Sequence, residues 1–175
     1  MPTATAAGMG FSLRVQYPQA GWDVAPRVVP ALRSPHELCA LSNRRLRILP
    51  RVSDENTPDV GGLGAAGCLI WLYYQVLGDP VIGDPARPPI PDYGRYSYPL
   101  VYGESQVFPR RLDYDWGPDL VWRRLGHNLA PSPARPEPAV LTVMIWEGRR
   151  LPAADLRAAR QIVTSVSVSP VSAAG

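Results

Sequence analysis

The sequence predicts an α+β domain: an antiparallel β-sheet of five to seven strands, with a short helix in the N-terminal half and a C-terminal amphipathic helix packed on the sheet. Three observations carry this expectation. Residues 11–17 alternate, with Phe11, Leu13, Val15 and Tyr17 on one face and Ser12, Arg14 and Gln16 on the other. Cys68 to Leu77 is apolar on both faces, the pattern of a strand covered on both sides. Val140 to Trp146 is a second strong strand, and from Pro152 to about Val166 the residues Leu156, Ala159, Ile162, Val163 and Val166 recur at helical spacing.

Taken in order, Met1 to Gly10 is small and uncharged and reads as a flexible N-terminus. The strand at 11–17 runs into Tyr17-Pro18-Gln19-Ala20-Gly21-Trp22. Pro18 lacks the N–H to continue a ladder and Gly21 frees the backbone, so an edge strand closed by a turn that returns Trp22 to the sheet is expected. Ser34-Pro35-His36-Glu37 has the form of a capping box with Pro at the first helical position, which predicts the short helix to about Ser42. Arg44 to Leu49 alternates as a strand, and residues 51–64 read as a loop.

The run Cys68 to Leu77 is the expected central strand, where each large side chain is worth about 1.5–3 kcal/mol on full burial. Gly78-Asp79-Pro80 ends it and opens a Pro/Tyr-rich loop at 78–109. Tyr98 to Tyr102, Arg110 to Trp116 and Val121 to Leu125 are further strand-like pieces, and 130–138 is another Pro-rich loop. After the strand at 140–146, Glu147-Gly148 is expected to turn. Asp155 then lies in the first turn of the last helix, where the helix dipole favours it. Residues 11–168 thus form a single domain, followed by a flexible tail at 169–175.

A chain of 175 residues suits one core, which buries about 70% of the surface of the unfolded chain. With 21 Pro and 15 Gly, long loops are expected around it. All 18 basic residues are Arg, which a GC-rich genome explains more simply than a need for guanidinium chemistry. Fifteen carboxylates interleave with them and leave a formal charge of +3, so nucleic acid is not the expected partner. No apolar run reaches the ~20 residues of a membrane span. The N-terminus has neither a basic nor an apolar signal region, and the reading is a cytoplasmic protein. Cys39 and Cys68 have no diagnostic spacing and read as free thiols.

The Tyr17-Pro18-x-x-Gly21-Trp22 closure after the first strand, together with the last strand and helix at 140–168, resembles the Mog1/PsbP-like α/β/α sandwich, a layout similar to that of small actinobacterial proteins. The resemblance implies an antiparallel sheet with helices on its faces and a scaffolding or partner-binding role. It assigns no functional residue, and the insertion at 78–109 departs from the pattern.

Catalytic constellations weigh less than structural readings. His36 and Cys39 would share a face of the expected helix, but sites of that type draw their members from separate elements. Cys39, Cys68, His36 and His127 contain no zinc-binding clip. Asp113, Asp115 and Asp119 beside Tyr114 and Trp116 suit a sugar or calcium site, yet equally pair with Arg110, Arg111, Arg123 and Arg124 on a wet edge. Gly61 to Gly67 precedes a strand instead of following one, the wrong order for a phosphate cradle. No cofactor or metal is therefore expected.

What remains is an aromatic surface in Pro-rich loops, where amphipathic rings serve as interface anchors. The expected binding residues are Tyr93, Tyr96, Tyr98, Tyr102, Tyr114 and Trp116, contacting another protein from a non-enzymatic binding or structural module. Two alternatives stand beside this. One is a hydrolase or small-ligand enzyme with a pocket near His127 and Asp113/Asp115; the other is a subunit of a larger, virion-like assembly with the Pro-rich loops as intersubunit arms.

Overall fold

The computed structural model describes residues 1–8, 10–26, 36–50, 56–58, 60–76, 99–108, 119–129 and 139–170. Among the described residues, eleven strands and one α-helix lie in the order β1 (Thr3–Gly8), β2 (Phe11–Gln16), β3 (Asp23–Pro26), β4 (His36–Ser42), β5 (Ile48–Pro50), β6 (Asn56–Pro58), β7 (Cys68–Val76), β8 (Gln106–Phe108), β9 (Leu120–Leu129), β10 (Ala139–Gly148), α1 (Ala153–Ser165) and β11 (Ser167–Pro170). A six-stranded antiparallel sheet has the order β3-β4-β7-β10-β9-β8, a three-stranded sheet the order β1-β2-β11, and β5 and β6 form a ribbon. The architecture is α+β, with the C-terminal helix packed between sheet elements.

The doubly apolar run behaves as its composition demands. β7 lies between β4 and β10, and its inner residues Cys68, Ile70, Leu72 and Tyr74 are fully buried. They face Phe11, Leu13 and Val15 of β2 and Ala159, Ile162 and Val163 of α1 across one core, with Leu141, Val143 and Ile145 of β10 alongside. The Phe11 and Tyr74 rings meet at 5.6 Å, within the range of favourable aromatic pairs. The reverse face of the same sheet carries a smaller cluster of Ala40, Leu63, Leu69, Leu120 and Trp146, and Trp71 packs against Trp146 at 5.9 Å. Alternation along β7 therefore divides its side chains between two cores.

Gly21 adopts a positive φ of 76°, and Trp22 returns to the main core as the turn residues imply. At the far end of β10, Gly148 N–H donates to the Gly67 carbonyl at 2.8 Å, and a Cβ on Gly148 would overlap the Ala65 carbonyl. Glycine is required there by close approach of the 61–67 loop.

Several expectations need correction. Residues 36–42 are a strand, not a helix: Cys39, Ala40, Leu41 and Ser42 are all buried, and β4 pairs with β3 on one side and β7 on the other. With Cys39 to Ser42 buried on both faces, the segment gains more from the sheet than a short helix with one apolar stripe could offer, and the local helix signal yields. The N-terminus is not free, because Thr3–Gly8 pairs residue for residue with β2. That makes β2 a central strand of its own sheet and not an edge. The tail is ordered to Pro170 through pairing of β11 with the other side of β2. Of the strand expected at 44–49 only Ile48 onward is extended, and β6 falls within the expected loop at 51–64. Tyr102–Glu104 is a 3-10 turn followed by β8, instead of a strand ending at Tyr102. Glu147 and Gly148 close β10, and the turn comes after them. The expected strand at 110–116 lies outside the described residues.

Candidate functional site

Residues 99–108 are the described part of the Tyr/Pro-rich region, and the sheet positions them through two buried side chains. Leu100 enters the main core, and Tyr102 follows it on the 3-10 turn. Glu104 N–H donates to the Val101 carbonyl at 2.9 Å and Ser105 N–H to the Tyr102 carbonyl at 3.1 Å, which closes the turn and delivers the chain to β8. β8 pairs with Arg124, Arg123 and Trp122 of β9 and is the last strand of its sheet.

Tyr102 Oη donates to Glu147 Oε2 at 2.8 Å, and Arg123 Nε donates to the same oxygen at 2.8 Å. The Arg123 guanidinium carbon also sits 5.7 Å from the Tyr102 ring centroid. Glu147 is half-buried, the end of the inner series Leu141, Val143, Ile145, and lies opposite Cys68 on β7. Burial raises the Tyr102 phenol well above its ordinary range; the neighbouring Cys68, the Glu147 hydrogen bond and the Glu147 charge add to this, and Arg123 opposes it. The Cys68 thiol is raised by burial first and then by the Glu147 and Asp155 charges. Burial and the two nearby carboxylates hold the thiol in its protonated form.

A second set of side chains holds the same end of β7. Asn43 accepts from Cys68 N–H at 2.7 Å and donates to the Ala66 carbonyl at 3.0 Å and to Asp155 Oδ2 at 2.9 Å. Ser42 Oγ donates to the Cys68 carbonyl at 2.8 Å. One amide thereby ties β4, the 61–67 loop and the first turn of α1 together.

Among the expected binding residues, Tyr102 is the one the structure places, and its role changes. With 5% of its surface exposed it cannot offer a ring to a partner; it anchors the segment instead. Tyr93, Tyr96, Tyr98, Tyr114 and Trp116 lie outside the described residues. Exposure in the segment belongs to Val101 at 44% and Val107 at 49%, which with Met1 are the large exposed apolar side chains among the described residues. His127 is half-buried on β9 opposite Leu141, and Asp113 and Asp115 lie outside the described residues. Cys39 and Cys68 are buried free thiols. No described helix is long and apolar enough to cross a membrane.

The sequence places Glu147 in a turn and Arg123 beside the aspartates at 113–119, whereas the two pair with each other; Glu147 stands in phase with Leu141, Val143 and Ile145 and so belongs on the inner face by alternation. Comparison of the chain with protein-family models, curated protein sequences and solved structures finds no match.

Proposed function

We propose that the chain is a non-enzymatic protein-binding module whose partner docks on the Tyr/Pro-rich region from Tyr93 to Trp116, entering at the terminal strand β8. The observation that carries this reading is the contrast within one short segment. Leu100 and Tyr102 pin it to the core, while Val101 and Val107 stay in water. Large apolar side chains held in the open by a rigid scaffold are what a partner surface uses, and a terminal strand offers main-chain groups for an added strand. The free thiols suit a reducing compartment and hence the cytoplasm.

The test is capture from a lysate of the source cells by the intact chain and by the double variant Val101→Asp, Val107→Asp. Docking at β8 predicts a protein retained by the parent chain and lost from the variant, with the two chains melting at the same temperature. A second variant with Tyr96, Tyr98 and Trp116 changed to Ala is expected to weaken the same capture. Equal recovery on all three chains would remove the reading.

A further inference from the structure

We propose that β1 is the two-fold interface of a homodimer, in which the Thr3–Gly8 strands of two copies pair antiparallel about Thr5. This surface is separate from β8 and stands on its own observations. Tyr17 N–H donates to the Pro2 carbonyl at 3.1 Å, continuing the register in which Thr3 faces Gln16 and Ala4 faces Val15. In an antiparallel ladder, opposed residues alternate between exchanging main-chain hydrogen bonds and turning those groups away. Pro2 and Tyr17 are of the exchanging kind, so Ala4, Ala6 and Gly8 bond to β2, and Thr3, Thr5 and Ala7 turn their N–H and C=O groups outward. None of these three makes a hydrogen bond on that side with a described residue, and all three side chains are exposed.

Two other sheet ends are blunted: β3 has four residues, one charged, and closes on Pro26, and β11 has four and closes on Pro170. Short length, charge and proline are the devices by which sheets avoid adding strands. β1 has six residues (Thr-Ala-Thr-Ala-Ala-Gly), with no charge, no proline and no register shift against β2. Among the described strands it is the longest that ends a sheet.

The occupant is a second copy because the strand is complementary to itself. The outward residues are spaced evenly about Thr5, so a two-fold axis there sets Thr5 against Thr5 of the second copy and Thr3 against its Ala7, each pair exchanging both main-chain bonds. On the buried side Ala4 falls beside Ala6 of the second copy, so the side chains that meet there are small. The two three-stranded sheets become one continuous sheet through an isologous contact.

Sedimentation equilibrium of the full chain at about 0.2 mM, above the micromolar dissociation constants of small interfaces, is expected to show a dimer. Thr5→Pro removes the central outward N–H at an edge position where proline is tolerated, and is expected to give a monomer whose melting temperature matches that of the parent chain diluted until it too is monomeric. Thr5→Cys places two thiols across the axis at a Cα separation of about 5.5 Å, within disulfide reach, and is expected to cross-link on oxidation. Ala7→Cys is expected not to, since the two Ala7 positions stand about 13 Å apart along the strands. Cys39 and Cys68 are buried and do not compete. A monomeric parent chain, a dimer that survives in folded Thr5→Pro, or cross-linking of Ala7→Cys as complete as that of Thr5→Cys would overturn the proposal. If Thr5→Pro fails to fold, the two cysteine variants decide it.

Discussion

The inner face of β10 changes character within one strand step. Leu141, Val143 and Ile145 are fully buried against β7, β2 and α1, whereas Glu147, next in the same alternation, is a carboxylate that receives Tyr102 and Arg123. The first region holds by removing apolar area from water, a force without direction that tolerates small shifts of its neighbours. The second holds by directed, charge-assisted bonds that define where one segment sits. The core makes the fold, and the shelf at its end fixes the 99–108 segment upon it.

The largest effect on this contrast is expected from the core. Leu72→Ala removes a fully buried side chain from the central strand and is expected to cost about 2–5 kcal/mol, measured by urea unfolding, with the same loss at pH 7 and pH 9. A pH-dependent loss would show that core and shelf are coupled. Gly148→Ala acts where β10 leaves the core: the new methyl overlaps the Ala65 carbonyl, and a loss of about 1–3 kcal/mol is expected by the same measurement.

Tyr102→Phe probes the shelf directly. It removes one of two donors to a half-buried carboxylate and is expected to cost about 1.5 kcal/mol at pH 7. The shelf also has a pH signature. Folding raises Cys68 and Tyr102 above their ordinary values of 9.0 and 10.0, so the native state keeps protons that the unfolded chain releases. Their contribution is intact below those ordinary values and is lost as pH climbs above them. Stability is expected to fall above pH ~9, at up to about 1.4 kcal/mol per pH unit for each group, and the fall is expected to be shallower in Tyr102→Phe. An unchanged slope in the variant would take the phenol out of this account.

The smallest effect has the opposite sign. Thr142 lies on the outer face of β10, fully buried, and its hydroxyl has no hydrogen-bond partner. Thr142→Val replaces an unsatisfied polar atom with a methyl and is expected to stabilise by about 1 kcal/mol, read as a higher urea midpoint. A loss would mean that the hydroxyl is satisfied in solution.

The legible parts of the fold were those whose signal is local and repeated. β2, β7, β10 and α1 each span several periods of an apolar pattern, and each forms where the pattern stands. The segment 36–42 was misread because Ser34 to Glu37 carries a strong local helix start, while the reason for a strand, two flanking partners, lies far away in the chain. β1 and β11 are built of Ala, Thr, Ser and Val with one Pro and one Gly, too small and mixed to declare a structure before β2 is between them. In the candidate site, the Tyr/Pro-rich stretch was visible from composition, but whether Tyr102 pointed outward or inward was not.

By itself the sequence determined that β7 and β10 are buried strands, where the last helix runs and that Trp22 returns to the core, because hydrophobic periodicity and turn residues act over a few neighbouring positions. Tertiary structure alone decided the pairing order, the conversion of 36–42 and both termini into strands, and the meeting of Tyr102, Arg123 and Glu147. Those outcomes depend on which distant segments supply hydrogen-bond partners and exclude water, and no local pattern encodes the identity of a distant partner.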